Sequence, residues 1–221
     1  RDTGYRGPIV GSCWQAGGGI THLLNLHSDY EVGIIDRHNY FGGGTGHRLD
    51  TGTYRTGAMV SQIGTGLYST GLQQVADRPF ALSEWMSLIP NQWTAEAAPI
   101  IATYGMGLQG WDASYSFAFD YPFYSETVQT RGGGVYNVTS PTHMSLYPAL
   151  AMMIYRNDVK EGATVANRKV SIDKLLTGDI SFHEKVVQDY DRKGFEASFP
   201  LQAMAAGKVT VSFTENDTRH E

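Results

Sequence analysis

The stretch Pro79-Phe80-Ala81-Leu82-Ser83-Glu84-Trp85 decides the fold of this chain. Its apolar residues follow a proline and end in a carboxylate and an indole, which predicts a short buried strand with Glu84 and Trp85 at its end. A second strand-like run, from Gly110 to Asp120, follows after one helix-length stretch. Strand, helix and strand at this spacing are typical of consecutive βα units in a parallel sheet.

Two further strands are predicted upstream, from Pro8 to Gln15 and from Val32 to Phe41, and each leads into a glycine-rich loop. Apolar strands separated by helices favour a parallel sheet, and polar residues at the strand ends favour a barrel-type active face. We therefore predict an α/β protein of the (β/α)8 TIM-barrel class. An open doubly wound sheet is the alternative.

The character of the chain changes after about residue 158. Val165 to Ile172 and Lys208 to Phe213 alternate in the manner of strands, and Phe182 to Gln188 is predicted as a short helix. We divide the chain into residues 1–160, the barrel portion, and residues 161–221, a small β-rich tail or the start of a second module.

Charge and hydropathy restrict the partners. The 221 residues carry a formal net charge of -5, and Lys and Arg form no runs, so nucleic acid and anionic membranes are poor partners and a neutral substrate fits better. No stretch of about eighteen apolar residues occurs, which predicts that no segment spans a bilayer. The opening Arg1-Asp2-Thr3 has neither a methionine nor a signal pattern, so we expect numbering that starts after processing or inside a larger polypeptide.

Neither a metal nor a cofactor is indicated. One cysteine, Cys13, excludes an internal disulfide and a cysteine-based zinc cluster, and it has no basic neighbour that would activate it. The glycine runs 17–19 and 132–134 lack the spacing of a phosphate-binding loop. Zinc-ligand spacing is also missing among the histidines of the first half, which are His22, His27, His38 and His47.

Glycine and aromatic residues are abundant, with 26 Gly, 13 Tyr, 9 Phe and 4 Trp. Carbohydrate sites use flat aromatic faces against sugar rings, with hydrogen-bonding groups around the rim. The alternative is a core that uses the same rings for packing. Composition does not choose between them, so the placement of the rings has to.

Several motifs together resemble the C-terminal half of the clan-A retaining glycoside hydrolases, particularly agarase-like and β-galactosidase-like members. The resemblance covers about residues 5 to 160. The motifs that carry it are Asp36-Arg37-His38-Asn39-Tyr40, Ser83-Glu84-Trp85, Pro90-Asn91, Ala95-Glu96 and Gln109-Gly110-Trp111-Asp112. It implies that the chain carries the last four βα units of the barrel, with Glu84 at the end of strand seven as the nucleophile.

The resemblance lacks one catalytic part. In this clan the acid/base glutamate lies in an Asn-Glu pair on strand four, which would lie upstream of Arg1, and no Asn-Glu pair occurs in the chain. Retaining hydrolysis needs two carboxyls roughly 5 to 5.5 Å apart. The resemblance therefore implies that the chain is part of a longer enzyme, that it pairs with another copy or chain to complete the barrel, or that it is inactive.

Glu84 is the predicted catalytic residue, although pairing with Arg78 or Arg37 would make it a structural acid. The candidate sugar-binding residues are His38, Asn39, Tyr40, Trp14, Gln15, Trp85, Trp111 and Asp112, and Asp112 has a loop-capping role as its alternative. We predict a retaining hydrolase of β-linked, galactose-containing poly- or oligosaccharides, with a non-catalytic carbohydrate-binding or inactive barrel as the alternative. A polysaccharide substrate favours a secreted or periplasmic location.

Overall fold

A computed structural model describes most of the chain. The described residues are 2–15, 20–42, 47, 56–118, 135–136, 138–180, 185–188, 193–196, 199–215 and 219–220. The strands are β1 (Ile35–Phe41), β2 (Phe80–Ser87), β3 (Ala113–Ser116), β4 (Thr164–Ser171), β5 (Lys185–Gln188), β6 (Lys193–Glu196), β7 (Lys208–Thr214) and β8 (Arg219–His220).

The helices are α1 (Thr21–Val32), α2 (Ala97–Ile100), α3 (Pro141–Met144), α4 (Tyr147–Arg156), α5 (Ile172–Thr177) and α6 (Ala203–Ala206). A π-helical segment, Ile101–Leu108, continues α2, and the longest 3₁₀ segment is Gly66–Gln73. Gly33 ends α1 with φ of 150°, a backbone conformation that favours glycine, and its N–H bonds the carbonyl of Asp29.

The first sheet is parallel throughout and keeps chain order, β1-β2-β3. Val10 adds a parallel bridge to Ile34, just before β1, so the segment 8–15 lies on the outer side of β1. The predicted α/β class with a parallel sheet is therefore confirmed. No closed barrel forms within the described part of the chain.

Helices cover one face of this sheet. Leu23 and Leu26 of α1 pack in one buried cluster with Ile35, Leu82 and Ile101. Burying such apolar side chains is the main favourable term in folding. On β1, the alternation of side chains turns Arg37 and Asn39 toward the helices and turns Asp36, His38 and Tyr40 to the other face.

The second sheet has the order β7-β4-β8, with β4 parallel to β7 and antiparallel to β8. Gln109, which follows the π-helical segment, donates to the carbonyls of Met204 and Gly207 and accepts from the N–H of Val209. Val170 and Val209 belong to the same buried cluster as the first sheet's core. The predicted division between residues 160 and 161 stays a prediction, and side chains from both sides of it share this core.

The predicted helix from Phe182 to Gln188 is wrong where the structure describes it. Lys185–Gln188 is β5, and it pairs antiparallel with β6. The consecutive valines Val186 and Val187 explain the difference, because β-branched side chains lose rotamer freedom in a helix and pack well on a strand.

Candidate active site

A β-bulge in β2 places Glu84. Along β1, Arg37 pairs with Leu82 but the next residue, His38, pairs with Glu84, so β2 has one residue more than its neighbour. The pairing with β3 shows the same extra residue between Leu82 and Trp85. Both Ser83 and Glu84 are consequently half-buried on the face away from the helices, because a bulge re-aims the side chains that follow it.

Glu84 is anchored through one of its two carboxylate oxygens. The hydroxyl of Tyr40 donates to Oε2, and Nδ1 of His38 lies 3.2 Å from the same atom. None of the described residues donates a hydrogen bond to Oε1, and the side chain is 30% exposed. Glu84 therefore combines a held oxygen with one that remains open to a ligand.

Tyr40 is a donor that keeps its proton. Burial, and then the hydrogen bond to Glu84, raise the pKa of Tyr40 far above its ordinary value of 10.0. Burial and the charge of Glu84 also raise the pKa of Tyr136. Both phenols are thus neutral at any physiological pH, and Tyr40 acts as a fixed hydrogen-bond donor to the carboxylate.

A second carboxylate, Asp36, is bound to the bulge. Its Oδ1 accepts the N–H of Ser83 at 2.9 Å, and its Oδ2 accepts the hydroxyl of Ser83 at 2.6 Å. The same hydroxyl oxygen lies 3.0 Å from Nε2 of His38. A continuous chain of contacts therefore runs from Asp36 through Ser83 and His38 to Glu84.

Aromatic rings surround this carboxylate cluster. Trp14 is 58% exposed, and its ring lies 5.2 Å from the ring of His38, the histidine that contacts Glu84. Tyr40, which also contacts Glu84, packs edge-on against Tyr136 and Phe117, with ring centroids 5.3 and 6.2 Å away. The two residues that contact Glu84 are therefore packed against an exposed indole and against a cluster of rings.

A buried ion pair anchors the segment that carries Trp14. Arg37 donates to Asp29 of α1 at 2.7 Å and to Gln73 at 3.2 Å. Asp29 also accepts the N–H and the hydroxyl of Ser12, at 2.7 and 3.0 Å. Burial lowers the pKa of Arg37, and the Asp29 carboxylate opposes that shift.

Both arginines that would have made Glu84 a structural acid have other partners. Arg37 binds Asp29, as described above, and Arg78 binds Asp77 at 2.9 Å and the carbonyl of Tyr30 at 3.1 Å. Within the described residues, Glu84 makes no ion pair with an arginine.

Three predicted sugar-binding residues lie close to Glu84, namely His38, Tyr40 and Trp14. Gln15 follows Trp14 directly and is buried, and its Nε2 has no hydrogen-bond partner among the described residues. These positions agree with a shared site, and their roles in sugar binding stay predictions.

The other four predicted residues are not brought to this cluster. Asn39 faces the helices and donates to the carbonyl of Gly66 at 2.8 Å and to Thr70 at 2.6 Å. The rings of Trp85 and Trp111 are buried in the hydrophobic core, where Trp111 lies 5.3 Å from Phe80. These three side chains therefore lie outside the cluster around Glu84, and their roles in sugar binding stay predictions.

Asp112 lies at the opposite end of the sheet. Its Oδ2 accepts the N–H of Phe80 at 2.8 Å, at the first residue of β2. Glu84 lies four positions after Phe80 along the strand, which corresponds to roughly 13 Å. The carboxylate of Asp112 therefore binds the start of β2 and does not lie near the cluster, while its predicted roles in sugar binding or loop capping stay predictions.

Sequence reasoning missed Asp36 and Ser83. The sequence could have predicted Asp36, because the period of two along β1 places its side chain on the same face as those of His38 and Tyr40. It could not have predicted Ser83, because regular alternation assigns adjacent residues to opposite faces and only the bulge brings Ser83 beside Glu84.

The described residues contain no group of three or more His, Cys, Asp or Glu side chains that could hold a metal ion. Their helices are all too short or too polar to cross a bilayer.

One cleft among the described residues lies away from Glu84. It encloses about 1050 Å³ between the segment Thr3–Ile9 and the end of α1. Ile34 and Pro79, which precede β1 and β2, are part of its lining, so it opens at the amino ends of the strands. Arg78 in this lining is already bound to Asp77 and Tyr30. The candidate site is instead the cluster around Glu84, where two carboxylates, a serine and a histidine lie in continuous contact.

Comparisons of this chain with protein-family models, with curated proteins and with solved structures give no match. The function has to be inferred from the residues around Glu84 and from the parallel sheet that positions them.

Proposed function

We propose that this chain belongs to a retaining glycoside hydrolase that cleaves a β-linked, galactose-containing poly- or oligosaccharide, with Glu84 as the nucleophile. One observation carries the proposal. Glu84 stands near the carboxyl end of the central parallel strand, with Oε2 bound by the hydroxyl of Tyr40 and 3.2 Å from Nδ1 of His38, and no described residue donates a hydrogen bond to Oε1. A carboxylate nucleophile needs this division, because one oxygen must be fixed while the other attacks.

The proposed reaction follows from this geometry. Oε1 attacks the anomeric carbon and displaces the glycosidic oxygen, which a carboxylic acid protonates, and a covalent glycosyl-enzyme forms. Water then attacks the same carbon with the second carboxylate as base, and Glu84 is released. The exposed indole of Trp14 offers an apolar face for the sugar ring beside the reacting oxygen.

The proton donor lies outside the described cluster. Asp36 is the carboxylate nearest to Glu84 along the chain of contacts, but both of its oxygens accept hydrogen bonds from Ser83. An acid that is bound in this way is poorly placed to protonate a leaving group. We propose that the donor comes from strand four of the barrel, which this chain does not supply.

The finer fold assignment is part of the same proposal. The segment at Val10, followed by β1, β2 and β3, forms a parallel series in chain order, as strands five to eight of a (β/α)8 barrel would. Among the described residues, the segment at Val10 and strand β3 are the two outer members of this series, and each is paired with a strand on one side only.

Exposed apolar side chains mark the surfaces where the remaining half would pack. Ile9 and Val10 are exposed at one edge of the series and Tyr115 at the other, and α4 exposes Met152 and Tyr155. Unpaired strand edges and apolar patches of this kind are normally covered. We propose that the rest of a longer chain, or a second copy, covers them and supplies the acid/base residue.

A mechanism-based inactivator tests the nucleophile. The full polypeptide is incubated with an activated 2-deoxy-2-fluoro-β-galactoside, and the labelled peptide is identified by mass spectrometry. We expect the adduct on Glu84, and we expect Glu84→Gln to lose both labelling and turnover while its circular dichroism stays that of the wild type. Glu31→Gln, on the exposed surface of α1, is the matched control and should label normally.

The outcome also separates the alternative. Labelling of another residue, or turnover by Glu84→Gln, would overturn the assignment. Binding of galactan oligosaccharides without labelling or turnover would instead indicate a non-catalytic carbohydrate-binding barrel. The polysaccharide substrate that we propose implies a secreted or periplasmic location.

A further inference from the structure

We propose that Asp36 is a positioning residue for Glu84. Through Ser83 it fixes His38 as an imidazolium ion, whose Nδ1 lies next to the Glu84 carboxylate. The catalytic meaning of this inference rests on the proposed function, but the charge and tautomer of His38 can be measured without any substrate.

Both hydrogen-bond donors of Ser83, its backbone N–H and its hydroxyl, donate to the carboxylate of Asp36. The backbone N–H of Ser83 points to Oδ1 and the hydroxyl to Oδ2, at 2.9 and 2.6 Å. A carboxylate only accepts, so the single hydroxyl proton of Ser83 must lie on this contact. The oxygen of Ser83 can then only accept from any further partner.

That further partner is Nε2 of His38, 3.0 Å from the Ser83 oxygen. Because Ser83 has no second proton to donate, Nε2 must carry the hydrogen. Asp36 thereby determines the protonation of a ring that it does not touch. The half-buried bulge positions Ser83 for this role, since it places Ser83 and Glu84 on one face.

The other ring nitrogen then faces Glu84. Nδ1 lies 3.2 Å from Oε2, which already accepts the hydroxyl of Tyr40. With Nε2 protonated, a neutral ring would present a bare lone pair to the carboxylate oxygen. A proton on Nδ1 converts this repulsion into an ion pair, and the ring becomes an imidazolium between two carboxylates.

Among the described residues, the arginine that precedes His38 in the chain does not face its ring. Arg37 faces the helices and is bound to Asp29. Burial of His38 opposes the charged form, and the two carboxylates offset that cost. Titratable groups on this face or next to it, within the described part of the chain, include Cys13, Tyr40, Tyr136 and His47, and burial raises the pKa of Cys13 so that its thiol stays neutral.

A charged His38 has a defined consequence for catalysis. It holds Oε2 in place together with Tyr40 and leaves Oε1 directed at the substrate. Without it, Glu84 can rotate out of the attacking geometry. Loss of the chain should therefore lower kcat by about 10- to 100-fold and leave KM nearly unchanged.

The direct test is an NMR titration of the His38 ring, which reports protonation at each nitrogen. In the wild type we expect protons on both nitrogens at neutral pH and a titration midpoint above the ordinary histidine value of about 6.5. In Asp36→Asn the hydroxyl of Ser83 is free to donate to Nε2. The neutral ring should then carry its proton on Nδ1, and the midpoint should move to lower pH.

Two further variants keep the test decisive. Ser83→Ala removes the connecting hydroxyl and should also lower the midpoint, whereas Ser83→Thr retains the hydroxyl and should restore the wild-type titration. A neutral His38 at pH 7 in the wild type would overturn the proposal, as would an unchanged titration in folded Asp36→Asn. Inactivator labelling away from Glu84, with the expected titration, would refute the nucleophile and leave the Asp36 chain intact.

Discussion

Removing Asp29 should destabilise the protein far more than removing a surface acid. The Arg37–Asp29 pair is buried, with side-chain exposures of 1% and 3%. Asp29→Ala leaves the guanidinium in the interior with Gln73 and the carbonyl of Asp36 as its remaining partners. It also removes the acceptor of two hydrogen bonds from Ser12.

The size of the effect follows from burial. Breaking a buried ion pair by removing one partner costs about 3 to 5 kcal/mol, because an uncompensated charge stays inside. The donors of Ser12 are only partly buried and can turn to water, so they add little. We expect a loss of about 4 kcal/mol, which for a chain of this length lowers Tm by about 8 to 16 °C.

Urea denaturation of the full polypeptide, followed by circular dichroism, measures this loss. The matched control is Asp77→Ala, because Asp77 pairs with Arg78 at the surface with an exposed fraction of 61% and should cost less than about 1 kcal/mol. The double variant Asp29→Leu/Arg37→Met should recover part of the stability, since it leaves no unpaired charge. A loss in Asp29→Ala within about 1 kcal/mol of the control would refute the reasoning.

Three further predictions concern single side chains. Tyr40→Phe should lower kcat about 10- to 100-fold, because it removes a hydrogen bond to a charged group worth about 1.5 to 3 kcal/mol, and unchanged steady-state kinetics would contradict this. Trp14→Ala should raise the Kd for galactan oligosaccharides about fivefold in calorimetry without changing Tm, whereas Tyr155→Ala on α4 should not change the Kd. His143 is buried, and burial lowers its pKa below 6.5, so the unfolded chain binds the proton more tightly. Stability should therefore fall as pH decreases below 6.5, and denaturation of His143→Leu should show a smaller loss between pH 7.5 and 5.5 than the wild type.

The parallel sheet was predictable because its signal is local. Apolar runs such as Phe80 to Leu82 can bury both faces only in a covered sheet, and the helix-length stretches between such runs supply the cover. The meeting of His38, Tyr40 and Glu84 was predictable for the same reason, since the carboxyl ends of neighbouring parallel strands share one edge.

The sides on which individual side chains lie were less predictable. Asn39 lies between His38 and Tyr40 in the sequence, yet the strand alternation turns it into the helix layer. The indole side chains of Trp85 and Trp111 could each stack on a sugar ring, but their large apolar surfaces are buried in the core instead. Trp14 is the exposed ring beside Glu84, because its segment lies at the outer side of β1 and is held there by the contact of Ser12 with Asp29.

The sequence by itself determined the class of the fold and the position of Glu84 on a strand of the parallel sheet. Both depend on the short-range pattern of apolar and polar residues, which is local and does not depend on tertiary contacts. Only the tertiary structure decided that Ser83 stands beside Glu84 and that Asp36 is bound to it. A bulge shifts the face of a strand by one residue, and that shift arises from the pairing of β2 with its two neighbours, which local sequence does not encode.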